Sequence, residues 1–212
     1  MSTRPPSPGD HAEPPLQQSI DVRDPQALRA LAHPLRGKIL GILRLDGPST
    51  ATLLGQRLDE SSGATSYHLR QLAAYGFVED VPGQGSGRER WWRALHRSTH
   101  WETTDFLADP VGREVIDELL LLQVEQRRKT LSAYIEQRRD LGDAWEPAAS
   151  LNDYAFRLAP EEARAMADEL NAVLARWYGR PPAEHTSDAE PAPKAELVVV
   201  HLDVMPLKEY PL

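Results

Sequence analysis

The sequence predicts a mainly helical chain of the α+β class, and three observations predict it. Four short segments with helical apolar spacing follow one another between residues 25 and 75, each with its own start or stop signal. The apolar repeat then switches to that of strands on either side of a glycine-rich loop. Beyond residue 109, one long helical segment precedes a strand, a helix and a strand. Four helices and a hairpin, in that order, make a winged helix-turn-helix over Asp24 to Arg97. The whole reads as an N-terminal winged helix-turn-helix, a long dimerisation helix and a small C-terminal β-α-β accessory unit.

The first helix starts at Pro25, with Asp24 as its N-cap. It turns Leu28 and Leu31 inward and stops before Pro34, which opens the second helix. There Leu35, Ile39, Ile42 and Leu43 share one face, and Asp46-Gly47-Pro48 breaks it. Ser49 caps a third helix with Leu53, Leu54 and Leu58 inward, and Asp59 to Gly63 form a turn. Ser61 caps a fourth helix that runs to about Tyr75, where Gly76 supplies a left-handed stop. Phe77 to Val81 and Arg88 to Leu95 read as the strands of the wing, joined by Pro82 to Gly87.

Asp109-Pro110 opens the long helix, which runs to about Leu141 with a broad apolar face that includes Val115, Leu119 and Leu122. Those three are the candidate dimerisation residues. Asp153 to Leu158 reads as a strand, Pro160 to Tyr178 as a helix with acids in its first turn, and Glu196 to Met205 as a buried strand. Residues 1–19 are Pro-rich and polar and read as a disordered tail. Residues 20–100 then form the DNA-binding domain, and residues 101–212 a dimerisation and accessory region.

Charge supports this division. The chain carries a net charge of -8. Between residues 25 and 100, however, ten Lys and Arg face six acids, whereas twelve face twenty-two from residue 101 onward. Phosphates respond to the charge of the docking face rather than to the chain total. The acidic C-terminal half should therefore sit away from a duplex.

In a helix-turn-helix the second helix places its N-terminal residues in the major groove. Here Ser62, Gly63 and Thr65 are small enough for a close approach, and Ser66, Tyr67 and Arg70 can donate to phosphates or base edges. Arg88 and Arg90 add a basic wing. His68 lies on the same helix, where a packed histidine is commoner than a base reader.

The segment resembles the ArsR family of winged-helix regulators. Leu31-Ala32-His33-Pro34-Leu35-Arg36 is similar to the family's "ALAxPxR" opening. Ser66-Tyr67-His68-Leu69-Arg70-Gln71-Leu72 matches its "SxHLxxL" recognition helix, and Gly76-Phe77-Val78 and Gly87-Arg88 follow in order. The likeness covers about a third of the chain. It implies a homodimer on an inverted repeat of double-stranded DNA near a promoter, usually as a repressor, and brings Arg36 and His68 into the candidate DNA-binding set.

The family's "CVC"-like metal box has no counterpart. The equivalent helix reads Ala51-Thr52-Leu53-Leu54-Gly55-Gln56, and the chain has no cysteine. His96 and His100 are four apart but lack an evident third ligand, so no metal or other cofactor is expected. Nor is catalysis. Gly83 to Gly87 lacks the strand-to-helix setting and the lysine of a phosphate loop, and no nucleophile or His/acid cluster stands out. An unidentified small-molecule effector is a candidate partner, with Trp145, Tyr154, Phe156, Trp177 and Tyr178 as its lining. No apolar run is long enough to span a membrane, and the absence of cysteine fits a cytoplasmic protein. The competing function is a protein-interaction module that uses the winged helix as a scaffold without sequence-specific DNA binding.

Overall fold

The computed structural model describes residues 17–82, 90–178 and 196–209. The chain divides into two units, residues 1–126 and 127–212.

In the first unit, α1 (Pro25–Leu31) and α2 (Pro34–Leu45) each open with a proline behind an N-cap. Asp24 accepts the N–H of Gln26 at 3.0 Å. His33 caps α2 through its ring, Nδ1 accepting the N–H of Leu35 at 3.2 Å. Strand β2 (Ser49–Thr50) runs directly into α3 (Ala51–Leu58), and α4 (Ser62–Ala74) follows a short turn. The cap of α3 is Thr50, whose hydroxyl accepts the N–H of Leu53 at 3.2 Å. The expected cap, Ser49, is instead a strand residue facing Trp92. Its neighbour Leu53, expected inward, is 48% exposed.

The turn between α3 and α4 is tight. Asp59 adopts φ 57, and Glu60 donates its N–H to the carbonyl of Gly55 at 2.8 Å. A Cβ on Gly55 would lie 2.7 Å from the Glu60 carbonyl oxygen, which is backbone and cannot yield cheaply. Gly55→Ala is accordingly expected to cost about 1–3 kcal/mol, read as a lower urea midpoint at unchanged slope.

Strands β3 (Val78–Val81) and β4 (Trp91–Ala94) form the wing ladder, with Val81 opposite Trp91, and β2 adds antiparallel to the other edge of β4. After Leu95 the chain enters β5 (His96–His100), which pairs in parallel with β1 (Gln17–Asp21). Gln17 to Ser19, read from sequence as the end of the tail, therefore lie in a strand. Arg44 ties α2 to β5, donating to the His96 carbonyl at 2.9 Å and the Thr99 hydroxyl at 2.7 Å.

Leu28, Ile39, Leu43, Leu54, Leu69, Leu72, Phe77 and Phe106 form the centre of the core. α5 (Pro110–Gln137) starts behind Asp109, whose carboxylate accepts the N–H groups of Val111 and Gly112. Its Val115, Ile116 and Leu119 join the core at 1%, 3% and 5% exposure. This corrects the assigned dimerisation residues. Val115 and Leu119 are already packed within their own chain, and Leu122 is half-buried. The apolar side chains that α5 leaves exposed in this unit are Val111, Leu120, Leu121 and Val124.

The second unit contains the end of α5 and α6 (Pro160–Tyr178). Arg127 pairs with Asp203, and the Tyr154 and Phe156 rings stack with centroids 6.4 Å apart. Neither Asp153 to Leu158 nor Glu196 to Met205 enters a ladder among the described residues, so the expected β-α-β unit is here a helix between two unpaired segments.

Candidate nucleic-acid interface

The sequence dictates how α4 is held. Ser61 fixes the first turn twice, its hydroxyl accepting the N–H of Ala64 at 3.1 Å and its carbonyl the N–H of Thr65 at 3.0 Å. Thr65 is fully buried. Its hydroxyl donates to the carbonyl of Ala51 at 2.7 Å, locking the start of α4 to the start of α3. Thr65 therefore cannot touch a duplex, and its assignment as a contact residue is corrected. Thr65→Val is expected to cost about 1–3 kcal/mol in chemical denaturation, because it removes a buried hydrogen bond between the two helices.

On the outer face, Ser62, Ser66, Arg70 and Arg90 come together along one polar groove of about 380 Å³. Thr50, Ala51, Thr52 and Trp92 complete its wall. Ser62 and Arg70 are exposed, and Ser66 is partly so. Arg70 uses one N–H on its own helix, donating to the Ser66 carbonyl at 3.2 Å. Arg90 sits 3.0 Å from the Asp80 carboxylate, with its guanidinium 5.7 Å from the Trp92 ring centre. The Arg90–Asp80 pair is exposed, and a phosphate could replace it at little cost. Gly63 and Tyr67, the latter 52% exposed, lie on the first two turns of the same helix. Arg88 lies outside the described residues.

Two further assignments change. Arg36 donates to the carbonyls of Ala30 and Arg29, the second at 3.0 Å, and so closes the C-terminal end of α1. Its burial lowers its pKa, and the neighbouring Tyr67 and Tyr75 oppose that shift. His68 is half-buried, its ring centre 4.5 Å from that of His33. Its Nδ1 is enclosed without a hydrogen-bond partner. Both residues belong to the packing of α1, α2 and α4 rather than to the groove.

Of the lining residues the sequence reading missed, Thr52 is the exposed one. It sits in the first turn of the supporting helix, and only the insertion of β2 beside β4 turns that end toward the wing. His96 and His100 lie on β5 rather than on a helix. His96 is buried at 8% exposure, and His100 pairs with Glu102 at 3.4 Å. Among the described residues no three His, Asp or Glu side chains gather as a metal site. No helix there is long and apolar enough to cross a membrane.

Residues 31–81 match the family described as Helix-turn-helix domain. That span runs from the end of α1 to the last residue of β3. The fold also bears a distant likeness to solved structures. An apo double-mutant form of ZitR from Lactococcus lactis is 18% identical, with 69% of this chain and 83% of that one covered at a TM-score of 0.32. The transcriptional regulator Tm0710 from Thermotoga maritima is 16% identical, covering 74% and 88% at 0.29. RV1404 from Mycobacterium tuberculosis is 19% identical, covering 75% and 86% at 0.29. No curated protein matches the chain.

Proposed function

We propose that this chain is a sequence-specific DNA-binding transcriptional regulator, ArsR-like in kind, that acts as a homodimer on an inverted repeat and most simply as a repressor. One observation carries the reading. Ser62, Ser66, Arg70 and Arg90, from the recognition helix and the wing, line a single groove beside the N-terminus of α4. That end of a helix attracts phosphate through its free N–H groups. The hydroxyls and guanidiniums are the donors that phosphate oxygens and base edges accept. The helix-turn-helix match over residues 31–81 supports the same reading.

Two such helices in a two-fold dimer would enter successive major grooves about 34 Å apart. A homodimer through α5 draws support from Leu120, Leu121 and Val124, which are 45%, 71% and 63% exposed. Val124→Glu is expected to weaken self-association, read in sedimentation as a higher dissociation constant for the two-chain species, with the fold of the first unit intact. A wild-type dissociation constant for that variant would remove α5 from the interface.

Fluorescence anisotropy on promoter duplexes, repeated across salt concentrations, tests the central claim. Each neutralised phosphate should contribute about 0.9 to the logarithmic salt slope. Binding with no salt dependence, or equal affinity for every duplex, would instead favour the protein-interaction scaffold.

A further inference from the structure

Among its described residues the second unit has no interior. No described side chain from residue 127 to 209 is buried. Yet two short segments carry eleven exposed large apolar residues: Leu151, Tyr154, Phe156 and Leu158, then Leu197 to Val200, Val204, Met205 and Leu207. Scattered surface hydrophobics are ordinary, but this concentration in a unit whose described residues form no core is not. The spacing is that of strands. Tyr154, Phe156 and Leu158 alternate, and so do Val198, Val200 and Val204 around the half-buried Leu202. No backbone hydrogen bond joins either segment to other described residues. Strands in this condition gain most by pairing along their edges.

We infer that residues 151–158 and 196–207 are strands completed by the same unit of a second copy of this chain. Side chains of this size, exposed to this degree, present on the order of 1,000 Å² of apolar surface per protomer, against about 800 Å² per partner in a stable interface. The charge argues against other occupants. Arg157 is the only cation in the two segments, set against Asp153, Glu196 and Asp203, and Asp203 is held by Arg127. Such a surface has nothing to offer nucleic acid or an anionic lipid. A unit whose described residues form no core needs a partner to cover them when it folds, and a second copy meets that need in any two-fold assembly. The inference is independent of the DNA-binding reading.

Hydrogen exchange on the full chain, with sedimentation on the same samples, tests it. Amides in 153–158 and 197–205 should exchange at least about a hundredfold slower in the two-chain species than after dilution to single chains. Fast exchange in both species overturns the inference, and so does protection that persists in a single chain. Val198→Asp provides a second test, because Val198 is 65% exposed and the change costs a lone chain nothing. It should accelerate exchange in 153–158 while α4 stays protected, and unchanged exchange there overturns the proposal. If the Asp variant loses protection in α4 as well, Val198→Thr, close to valine in shape, is measured by the same criterion. A wild-type chain whose two segments are protected only in the two-chain species, yet which binds no duplex, would count against the DNA reading alone.

Discussion

Arg70→Ala is expected to weaken binding to a cognate duplex by roughly 10- to 100-fold, the range for losing one guanidinium from a base edge or phosphate. Arg70 lies on the exposed face of α4, inside the groove shared by Ser62, Ser66 and Arg90. Only one of its N–H groups has a partner on its own helix, at Ser66. A guanidinium offers five, so most of its donor capacity is available to a ligand. The salt slope should fall by about 0.9 if the contact is to a phosphate, and sequence discrimination should relax if it is to a base. Thermal unfolding should not change, because the side chain supports nothing in the core.

Arg36→Ala supplies the contrast. Its guanidinium is engaged at the carbonyl end of α1, so its loss should lower stability and leave the salt slope of the folded protein unchanged. Wild-type affinity for Arg70→Ala, measured by anisotropy on a protein of unchanged melting temperature, would sink the assignment of the groove.

These two arginines also show what the sequence could reveal. Local signals were readable because their chemistry is local. Asp24, Ser61 and the positive φ of Gly76 mark helix ends that depend only on neighbouring backbone. The direction of a side chain on a helix with two occupied faces was not readable. Thr65 and Ser66 are adjacent and equally small, yet the core takes Thr65 because Ala51 offers it a carbonyl from another helix. Along α5, Val115, Ile116, Leu119, Leu120 and Leu121 form a band too wide for spacing alone to divide into inner and outer halves. The inner half is chosen by the rest of the core, including Phe106, which follows β5 in the chain. Strand β1 illustrates the same limit. Its parallel partner lies some eighty residues away, and nothing in Gln17 to Asp21 announces it. The segments 153–158 and 196–205 reverse the problem, with strand composition legible and the partner lying elsewhere.

Acidification is expected to destabilise the first unit, and the His33–His68 pair is the main reason. The ring centres are 4.5 Å apart. His33 is held below the ordinary histidine value of 6.5 first by burial, then by Arg36, with Glu60 opposing. His68 is lowered first by burial, then by His33 and Arg36, again against Glu60. Protonation of His33 would also place a hydrogen on Nδ1, the atom that accepts the Leu35 N–H and caps α2.

Because both folded values lie below 6.5, the unfolded chain takes up protons first as pH falls. Stability is therefore fully present above pH 6.5 and declines as pH drops below it toward the folded values. His96, lowered by burial and by Arg44, contributes in the same direction.

The test is a pair of substitutions followed by calorimetry between pH 7.5 and 5. His33→Asn keeps an N-cap oxygen but removes the titration, so it should match wild type at neutral pH and lose less stability in acid. His33→Ala lacks both, and should sit about 1 kcal/mol below wild type at neutral pH while showing the same shallower pH dependence. His96 leaves a residual slope in either variant. If His33→Asn follows the wild-type pH profile throughout, the acid sensitivity does not come from this cap.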